Sequence, residues 1–485
     1  MSVSCRFATA ACAARGRAWI RIALLVAIGS VSAPLRGEQP NFVFLYADDL
    51  AAWAVGALGN PQARTPGIDR LYAEGVALTN AFTTTPVCSP SRAGLLASRY
   101  GTELGITDYL TSGEERNKGL EPEVPTWPKL LQAAGYATAF VGKWHVGSMD
   151  RHLPTNNGYD LFYGFRSGAG ISKDPKVEYE GKVQTVSGYT PDILADEAIR
   201  FLRASAGTAP FLLSLHFWAP HANTSNRTPD GDRTWLPLAE ADWNPFRNLD
   251  VALPERRHPG LDVPRARRML AEYLGSVASL DRNVGRVLKT LDELGISRDT
   301  VVIFTSDHGY NMGHNGIWHK GNGRWLLVDN RGPRSNMYDH SIRVPAVVRW
   351  EGRLAAATVV DRTVLNLDWF PTILAMAGVE IPGGTVIRGT SFLPLLQGQP
   401  LEWRTSFYGE YRQLHQEQAD QRMWRTPHWK LVRDSRPGMD ELYNLASDPG
   451  EHVNLIHDGS TETVRAVARL DKELRDEMLR IRTEP

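Results

Sequence analysis

Asn41-Phe-Val-Phe-Leu-Tyr-Ala47 is an almost entirely apolar stretch, and Asp48-Asp49 follow it directly. A strand with one face in solvent alternates apolar and polar residues, so this stretch predicts a strand buried on both faces, as in a parallel sheet. Ligands of open α/β sheets bind beyond the carboxyl ends of the strands. The stretch therefore predicts a parallel sheet with two carboxylates at its ligand-binding edge.

The same order of helix, apolar strand and polar residues recurs three times along the chain. Polar residues follow each of these strands: Lys143 and His145, then His221, then Asp307 and His308. Helices alternating with apolar strands predict an α/β fold, a large and mostly parallel sheet flanked by helices. We expect the polar residues to meet in one site. The predicted helices are 127–135, 192–204 and 266–294, and the strands after them are 136–141, 210–216 and 300–305.

The pattern changes after residue 395. Short strand-like segments at 406–411 and 429–433 precede a charged helix at 462–481. We therefore predict a catalytic domain at 38–395 and a smaller α+β subdomain at 396–485. An irregular insertion at 222–262, rich in Pro, Asn, Asp, Arg and Trp, is long enough to be a functional rim.

The N-terminus has the features of a secretory signal peptide. Arginines precede a short apolar run at 22–28, and small residues near Ala33 offer a cleavage site. The run is too short to span a bilayer comfortably, although an uncleaved anchor is the alternative. We expect a signal peptide at 1–37 and an exported protein, periplasmic or secreted (lysosomal in a eukaryote), without membrane attachment after cleavage.

Charge and cysteine content narrow the possible functions. Loss of residues 1–37 removes five of the 54 basic residues and none of the 54 acidic ones, which leaves a net charge near −5. This balance disfavours nucleic acid and anionic membranes as partners. Cys5 and Cys12 leave with the signal peptide, so Cys88 has no disulfide partner.

Cys88-Ser-Pro90-Ser-Arg92 precedes a run of helix-forming residues. A thiol at the start of a helix and beside a fixed cation is suited to chemistry on an anion. An inert buried thiol is the alternative.

Asp48, Asp49, Asp307 and His308 are candidate metal ligands. Carboxylates packed together without a cation repel one another and raise each other's pKa. Oxygen ligands suit Ca²⁺ or Mg²⁺, whereas a histidine among them admits zinc or manganese. Helix capping, the alternative, explains one aspartate but not the group.

Three cationic side chains and two histidines complete the candidate site. Lys143 and His145 are two residues apart after a strand and so point to the same side. His145 and His221 are suited to acid–base work near neutral pH. Arg92 and Lys320 add positive charge, and a metal surrounded by such groups is suited to sulfate or phosphate.

These motifs resemble those of the formylglycine-dependent sulfatases, in the alkaline-phosphatase-like superfamily. The segment from Cys88 to Arg92, with Leu95-Leu96 after it, is similar to the family signature. It departs from the usual pattern at Ala97-Ser98, where the family has Thr-Gly, and many relatives carry asparagine at the position of His308. The further motifs, in family order, are Asn41–Asp49, Gly142-Lys-Trp-His-Val-Gly147, Pro220-His221, Ser306-Asp-His-Gly309, Trp318-His-Lys320-Gly321 and Leu442-Tyr-Asn-Leu-Ala-Ser-Asp-Pro-Gly450.

The resemblance implies hydrolysis of sulfuric esters. An enzyme of the export pathway, formylglycine-generating or equivalent, would oxidise Cys88 to formylglycine, whose hydrate carries two hydroxyl groups. One hydroxyl attacks sulfur, and a base deprotonates the other so that the aldehyde re-forms and sulfate leaves. The metal polarises a sulfate oxygen and lowers the pKa of the nucleophile.

The resemblance also implies a role for each residue. Arg92 and Lys143 hold the hydrate and the sulfate, and His145 is the base for aldehyde formation. His221 and Lys320 contact the sulfate and assist the leaving oxygen. The implied metal is one Ca²⁺, in preference to Mg²⁺ or Mn²⁺, and its implied ligands are Asp48, Asp49, modified Cys88, Asp307 and His308.

Two other functions stay open at the level of sequence. A phosphoesterase or phosphonate hydrolase of the same superfamily needs a similar set of cations. An inactive relative that only binds sulfated glycans is disfavoured, because every catalytic position holds a suitable residue.

A small or polymeric sulfated carbohydrate is the expected substrate, with aryl or choline sulfates as alternatives. The expectation rests on aromatic and basic residues near the site of an exported, mildly acidic hydrolase. Trp235 and Trp243 are candidate contacts from the rim. Predicted contacts that flank Lys320 are His314, Asn322, Arg324 and Trp325.

Overall fold

The computed structural model describes residues 39–111, 113, 115–168, 170–254 and 258–483. The predicted signal peptide at 1–37 lies outside the described residues. Strands and helices are numbered in chain order.

Within the described residues, a ten-stranded mixed sheet forms the centre of the fold. Its strands, in spatial order, are β15 (Thr358–Val360), β2 (Val76–Leu78), β14 (Ala346–Arg349), β9 (Thr300–Ser306), β1 (Asn41–Ala47), β8 (Phe211–His216), β4 (Ala137–Lys143), β5 (Leu161–Phe165), β6 (Lys176–Tyr179) and β7 (Lys182–Thr185). The five strands from β9 to β5 are parallel, whereas β14, β6 and β7 run antiparallel to their neighbours. The predicted α/β fold with a large sheet is confirmed, and its antiparallel pairs lie towards the edges.

Helices cover both faces of this sheet. Their bounds are α1 (Pro66–Glu74), α2 (Cys88–Ala97), α3 (Gly101–Leu104), α4 (Trp127–Ala133), α5 (Thr190–Ser205), α6 (Glu240–Trp243), α7 (Val263–Glu293), α8 (Asp339–Ile342), α9 (Trp369–Ala377), α10 (Leu393–Leu396) and α11 (Thr461–Thr483). Val43 and Leu45 of β1 belong to the core that contains α1, α5 and α7. Phe42 and Phe44 belong to the core that contains α2, α4 and α9. Strand β1 is thus buried on both faces, as its sequence predicts.

Smaller sheets complete the described part of the chain. One consists of β10 (Asn311–Met312), β11 (Ile317–His319), β12 (Asn322–Trp325) and β13 (Pro333–Ser335), and a strand pair consists of β3 (Ala81–Phe82) and β16 (Val364–Leu365). The C-terminal sheet consists of β17 (Phe407–Gln413), β18 (Ala419–Arg425), β19 (Trp429–Asp434) and β20 (Glu441–Asn444), and α11 packs on it. The other face of this sheet contributes Phe407 and Met423 to a cluster with Phe82 and Val87, just before Cys88. The domain boundary at 395/396 stays a prediction.

The insertion at 222–262 is anchored by its tryptophans. Trp235 is only 1% exposed, and its Nε1 donates a hydrogen bond to the Pro220 carbonyl at 2.6 Å. Trp243 packs against the core on the side of α7. These two side chains therefore hold the insertion on the domain. The described residues contain no helix with the length and apolarity needed to cross a membrane.

Gly142 is the glycine whose replacement should most directly disturb the site, because it precedes Lys143 in β4. Its φ is +114°, and a Cβ there would lie 1.8 Å from the carbonyl oxygen of His216 in β8. We expect Gly142→Ala to separate β4 from β8 and to lower the free energy of unfolding by more than about 3 kcal/mol. Urea denaturation measures this loss.

Gly135→Ala is the matched control for backbone strain. Gly135 has φ +93°, but no neighbouring atom lies within 4 Å of a Cβ built on it. Gly135→Ala should lower the free energy of unfolding by only about 1–2 kcal/mol, which is the cost of an unfavourable φ. Equal losses in the two variants would contradict the steric argument.

Candidate active site

The ends of β1 and β9 bring the predicted carboxylates together. Asp48 and Asp49 follow β1, and Asp307 and His308 follow β9, which is its parallel neighbour. The Asp49 backbone N–H donates to Asp307 Oδ1 at 3.1 Å. His308 Nε2 lies 3.3 Å from both Asp49 Oδ1 and Asp307 Oδ1. All four side chains are buried.

Cys88 is the first residue of α2 and lies against this cluster. Its Sγ is 3.6 Å from Asp48 Oδ1 and 3.4 Å from His308 Nε2. Two ammonium groups also approach it, with Lys320 Nζ at 2.9 Å and Lys143 Nζ at 3.5 Å. The backbone N–H groups at the start of α2 add partial positive charge here.

Each carboxylate has a cationic partner. Lys143 Nζ lies 2.5 Å from Asp48 Oδ2, and Lys320 Nζ lies 2.5 Å from Asp49 Oδ1. Arg92 contacts Asp307 Oδ2 through Nε at 3.0 Å and through Nη2 at 2.9 Å. Each of the three carboxylates thus faces one basic side chain.

Arg92 joins three strand ends. Besides its contact with Asp307, its Nη1 donates to the Lys143 carbonyl at 2.9 Å and lies 3.3 Å from Nδ1 of His216, the last residue of β8. Its guanidinium lies 5.2 Å from the centre of the Tyr46 ring. The side chain is 1% exposed. It therefore acts as a rigid cationic link between β9, β4 and β8.

Burial and these cations act on the acid groups in opposite directions. Burial alone would raise the pKa of Asp48, but Lys143, His221 and Arg92 hold that pKa well below its usual range. The pKa of Asp49 is also lowered, against burial, mainly by Lys320. For Asp307, burial prevails and raises the pKa to about 7.

The donor set is suited to a divalent cation. Ligand atoms of Asp48, Asp49, Cys88 and His308 all lie within 4.8 Å of one another. Asp49 Oδ2 is buried and has no hydrogen-bond partner among the described residues, so it has a lone pair for a metal. Asp307 approaches the group through Oδ1, while its Oδ2 is held by Arg92. A divalent cation would give the site an excess of positive charge, which suits an oxyanion.

The two predicted acid–base histidines have hydrogen bonds that fix their rings. His145 Nε2 lies 3.0 Å from the Leu110 carbonyl, and His221 Nδ1 lies 2.7 Å from the Ala222 carbonyl. Because a carbonyl accepts, these nitrogens carry the protons, and His145 Nδ1 and His221 Nε2 are left with lone pairs. Burial lowers the pKa of His145 well below its usual range and that of His221 to about 3.

A cavity of about 620 Å³ opens over Cys88. Cys88, His145, His221 and Lys320 line it, as do two predicted substrate contacts, Asn322 and Arg324. The sequence prediction included neither His319 nor Tyr109, which also line the cavity. His319 lies in the predicted motif around Lys320, whereas no sequence pattern marks Tyr109.

The other two contacts predicted to flank Lys320 lie elsewhere, and neither Trp235 nor Trp243 lines the cavity. His314 is turned away by the bend between β10 and β11, and its ring lies 4.1 Å from His340 and 5.0 Å from Trp53. Trp325 ends β12 and packs beside Tyr338 and Arg334. Neither residue lines the cavity over Cys88, so the proposed site does not include them.

Comparison with known proteins identifies the family of the chain. Residues 40–379 match the sulfatase family, and residues 323–482 match the family described as N-sulphoglucosamine sulphohydrolase, C-terminal. The chain belongs to the sulfatase family. It is therefore a sulfuric ester hydrolase of the alkaline-phosphatase-like superfamily, as the motifs predict.

Individual relatives agree with this assignment. Steryl-sulfatase of Mus musculus is 32% identical over 436 residues, 77% of this chain and 68% of the relative. N-acetylglucosamine-6-O-sulfatase of Bacteroides thetaiotaomicron is 26% identical over 506 residues, with 89% and 85% covered. A solved structure of a protein in complex with its substrate D-glucosamine-2-N,6-O-disulfate is 25% identical with a TM-score of 0.76, and covers 92% of this sulfatase and 99% of that chain.

Arg92 should contribute strongly to the stability of the sulfatase. Arg92→Ala leaves Asp307 buried without its cationic partner, so we expect a loss of about 3–5 kcal/mol in the free energy of unfolding, measured by urea denaturation. Arg99→Ala is the control, because Arg99 contacts Glu103 at 3.8 Å with 27% of its side chain exposed and should lose under about 1 kcal/mol. Similar losses would argue that Arg92 is not a link between strand ends.

Proposed function

We propose that this sulfatase releases inorganic sulfate from a sulfated carbohydrate, with formylglycine made from Cys88 and one Ca²⁺ held beside it. The observation that carries the proposal is the position of Cys88: Lys320 Nζ lies 2.9 Å from its Sγ, and both residues lie at the cavity of about 620 Å³. A cavity of this size admits a sugar ring and not just the sulfate group.

The composition of the cavity wall supports a carbohydrate over an apolar ester. A sterol needs apolar walls, whereas five arginines and three histidines are among the residues that line the cavity above Cys88. The relative named N-acetylglucosamine-6-O-sulfatase and the structure with bound D-glucosamine-2-N,6-O-disulfate point to the same class.

Formylglycine, once formed and hydrated, would supply two hydroxyl groups. One would attack sulfur, and loss of the proton from the other would let the aldehyde re-form and the sulfate leave. Lys143 and Lys320 are placed to hold this group, because both ammonium nitrogens lie within 3.5 Å of Cys88 Sγ. Arg92 fixes the ends of three strands around it and keeps positive charge at the sulfate position. The start of α2 orients the side chain towards the cavity.

Calcium would be held by Asp48, Asp49, Asp307, His308 and the modified side chain of residue 88, and it supplies Lewis-acid polarisation of a sulfate oxygen. Ca²⁺ is favoured over a transition metal because the set is mainly carboxylate oxygen. Lys143 and Lys320 also neutralise Asp48 and Asp49, so the metal does not have to balance every carboxylate.

The two histidines are assigned different roles. His145 is the base for aldehyde formation, because the Leu110 carbonyl accepts from its Nε2–H and leaves a buried Nδ1 lone pair with no described partner. His221 has its Nε2 3.8 Å from Asp49 Oδ2. When Nε2 also carries a proton, His221 contacts the sulfate and, with Lys320, assists the leaving oxygen.

The proposal includes export of the protein. The arginines and the apolar run at 22–28 are typical of a signal peptide, and formylglycine formation requires a formylglycine-generating or equivalent enzyme as a partner during export.

A panel of esters tests the proposed substrate. Sulfated mono- and polysaccharides, 4-nitrophenyl sulfate, choline sulfate and the matched phosphate esters are compared by release of inorganic sulfate or phosphate. We expect kcat/KM to be at least about a hundredfold higher on a sulfated sugar than on its phosphate counterpart, a difference of about 2.7 kcal/mol in transition-state binding. Faster release of phosphate, or of sulfate from choline sulfate, would contradict the proposal.

Cys88→Ala tests the role of the cysteine. Replacement of a small buried side chain by a smaller one should cost no more than about 1–2 kcal/mol of stability, whereas turnover should be lost entirely. Stability is measured by urea denaturation and turnover by sulfate release. Gross unfolding with no residual native protein would instead support an inert structural thiol.

Calcium binding should stabilise the folded sulfatase. At a hundredfold excess over Kd, a metal that binds only the folded state adds about 2.7 kcal/mol to the free energy of unfolding. Thermal unfolding of chelator-treated protein with and without Ca²⁺ measures this effect, and Asp49→Asn should abolish it. Asp250→Asn, at an exposed aspartate paired with Arg267, should retain it. An equal Ca²⁺ response in both variants would move the metal away from this cluster.

A further inference from the structure

The wall of the active-site cavity contains arginines whose charges are used in two different ways. Arg265 is bidentate on Asp232, with Nε and Nη2 both at 2.8 Å from its oxygens. Arg331 lies 3.6 Å from both Asp232 and Asp262. These two guanidinium groups are therefore balanced by carboxylates and hold the wall together.

Arg227 and Arg233 also line the cavity, but neither forms an ion pair with any described residue. Two aspartates lie on the same segment, Asp230 and Asp232. Asp232 already has Arg265, Arg268 and Arg331 as partners, and among the described residues no ion pair joins Asp230 to Arg227 or Arg233. In the described part of the chain, these two cations therefore line the cavity without an ion-pair partner.

The backbone holds the two arginines side by side. Arg227 and Arg233 form an antiparallel bridge, and Thr228 N donates to the Asp232 carbonyl at 2.9 Å inside the turn between them. Directly opposed residues of an antiparallel pair project their side chains on the same face, with Cβ atoms about 4.5–5.5 Å apart. Like charges in that arrangement destabilise a hairpin. The stability of the hairpin therefore does not explain why two arginines lie opposite each other.

The electrostatics of the neighbouring groups agree with this placement. Burial and the charge of Arg233 hold the pKa of Arg227 below its usual range. Burial lowers the pKa of His319 well below its usual range, and the charges of Lys320 and Arg233 add to that shift. Arg233 is thus close enough to act on both Arg227 and the residue beside Lys320.

Arg227 is already oriented by the backbone. Its Nη1 lies 3.1 Å from the Thr224 carbonyl and 2.9 Å from the Asn226 carbonyl. A guanidinium that is fixed before binding loses less side-chain entropy when it contacts a ligand. The remaining nitrogen atoms of the pair are suited to the fork-shaped contacts that guanidinium makes with sulfate or carboxylate.

We propose that Arg227 and Arg233 form a second anion subsite, which binds a sulfate or carboxylate group of the substrate other than the sulfate ester that is cleaved. The inference rests on the proposed hydrolysis of a sulfated carbohydrate and narrows the substrate class to glycans with at least two anionic groups. Lys320 and the Cys88 cluster receive the scissile sulfate, while the hairpin at 227–233 receives the second anion.

Matched substrates test the subsite in the active enzyme. N-acetyl-D-glucosamine 6-sulfate and D-glucosamine-2-N,6-O-disulfate differ only in the group on N2, which is a neutral acetyl in the first and an anionic sulfate in the second. We expect wild-type kcat/KM to be about ten- to a hundredfold higher on the disulfate, mainly through KM, which is the range for loss of one or two charge-assisted hydrogen bonds. Arg233→Gln and the double variant with Arg227→Gln should reduce that ratio towards one.

Arg331→Gln is the matched control, because it removes the same charge from the same cavity but from an arginine that is paired with carboxylates. It should keep most of the preference for the disulfate. A preference that survives the double variant, or that falls equally in Arg331→Gln, would overturn the subsite.

Binding to Cys88→Ala separates this inference from the proposed function, because that variant does not turn over. Calorimetry with D-glucosamine N-sulfate and with glucuronate, neither of which carries a 6-sulfate, shows whether the subsite takes sulfate or carboxylate. If Cys88→Ala binds one of these ligands and the triple variant with Arg227→Gln and Arg233→Gln does not, the subsite is supported even when the ester panel contradicts the proposed function. Equal binding with and without the two arginines contradicts it even where the panel succeeds.

Discussion

The structure depends on a balance of buried charge at the carboxyl edge of the main sheet. Asp48, Asp49 and Asp307 are almost fully buried, and an unpaired carboxylate there would cost several kcal/mol. Lys143 and Lys320 neutralise the first two, and Arg92 neutralises the third. Since these partners come from separate strands and loops, the site exists only when the whole sheet edge is assembled.

This balance also explains why the site suits an oxyanion. The cluster holds three carboxylates and three basic side chains. One bound divalent metal ion therefore adds positive charge that no other group in the cluster cancels. Cys88 lies beside the two lysines and at the first turn of α2. The same cationic side chains thus stabilise the carboxylates and give the site the positive charge that an oxyanion needs.

The sequence predicted the centre of the fold better than its edges. Strands β1 and β9 were predictable because long apolar runs occur when both faces are buried. The strands β5 to β7 were not predictable, since short strands towards the edge of a sheet alternate weakly. The antiparallel direction of β14 was not predictable either, because it depends on partners that are distant in sequence. The site residues follow predicted strands or lie in motifs, so their type could be predicted from sequence but their contacts could not.

The substrate contacts show where sequence reasoning ends. His314 flanks Lys320 in sequence, yet a turn directs it towards His340 and Trp53. Arg227 and Arg233 have no distinguishing pattern, and only the hairpin pairing brings them together in the cavity wall. Proximity along the chain predicts proximity in space within a strand, but not across a loop.

The most direct test of the account is the chemical state of residue 88 in active enzyme. Mass spectrometry of the tryptic peptide 71–92, from preparations made with different amounts of the modifying enzyme, gives the fraction of Cys88 converted to aldehyde. The account predicts that sulfate release per molecule rises in proportion to that fraction and extrapolates to zero for the free thiol. Full activity in a preparation where residue 88 is entirely thiol would contradict it.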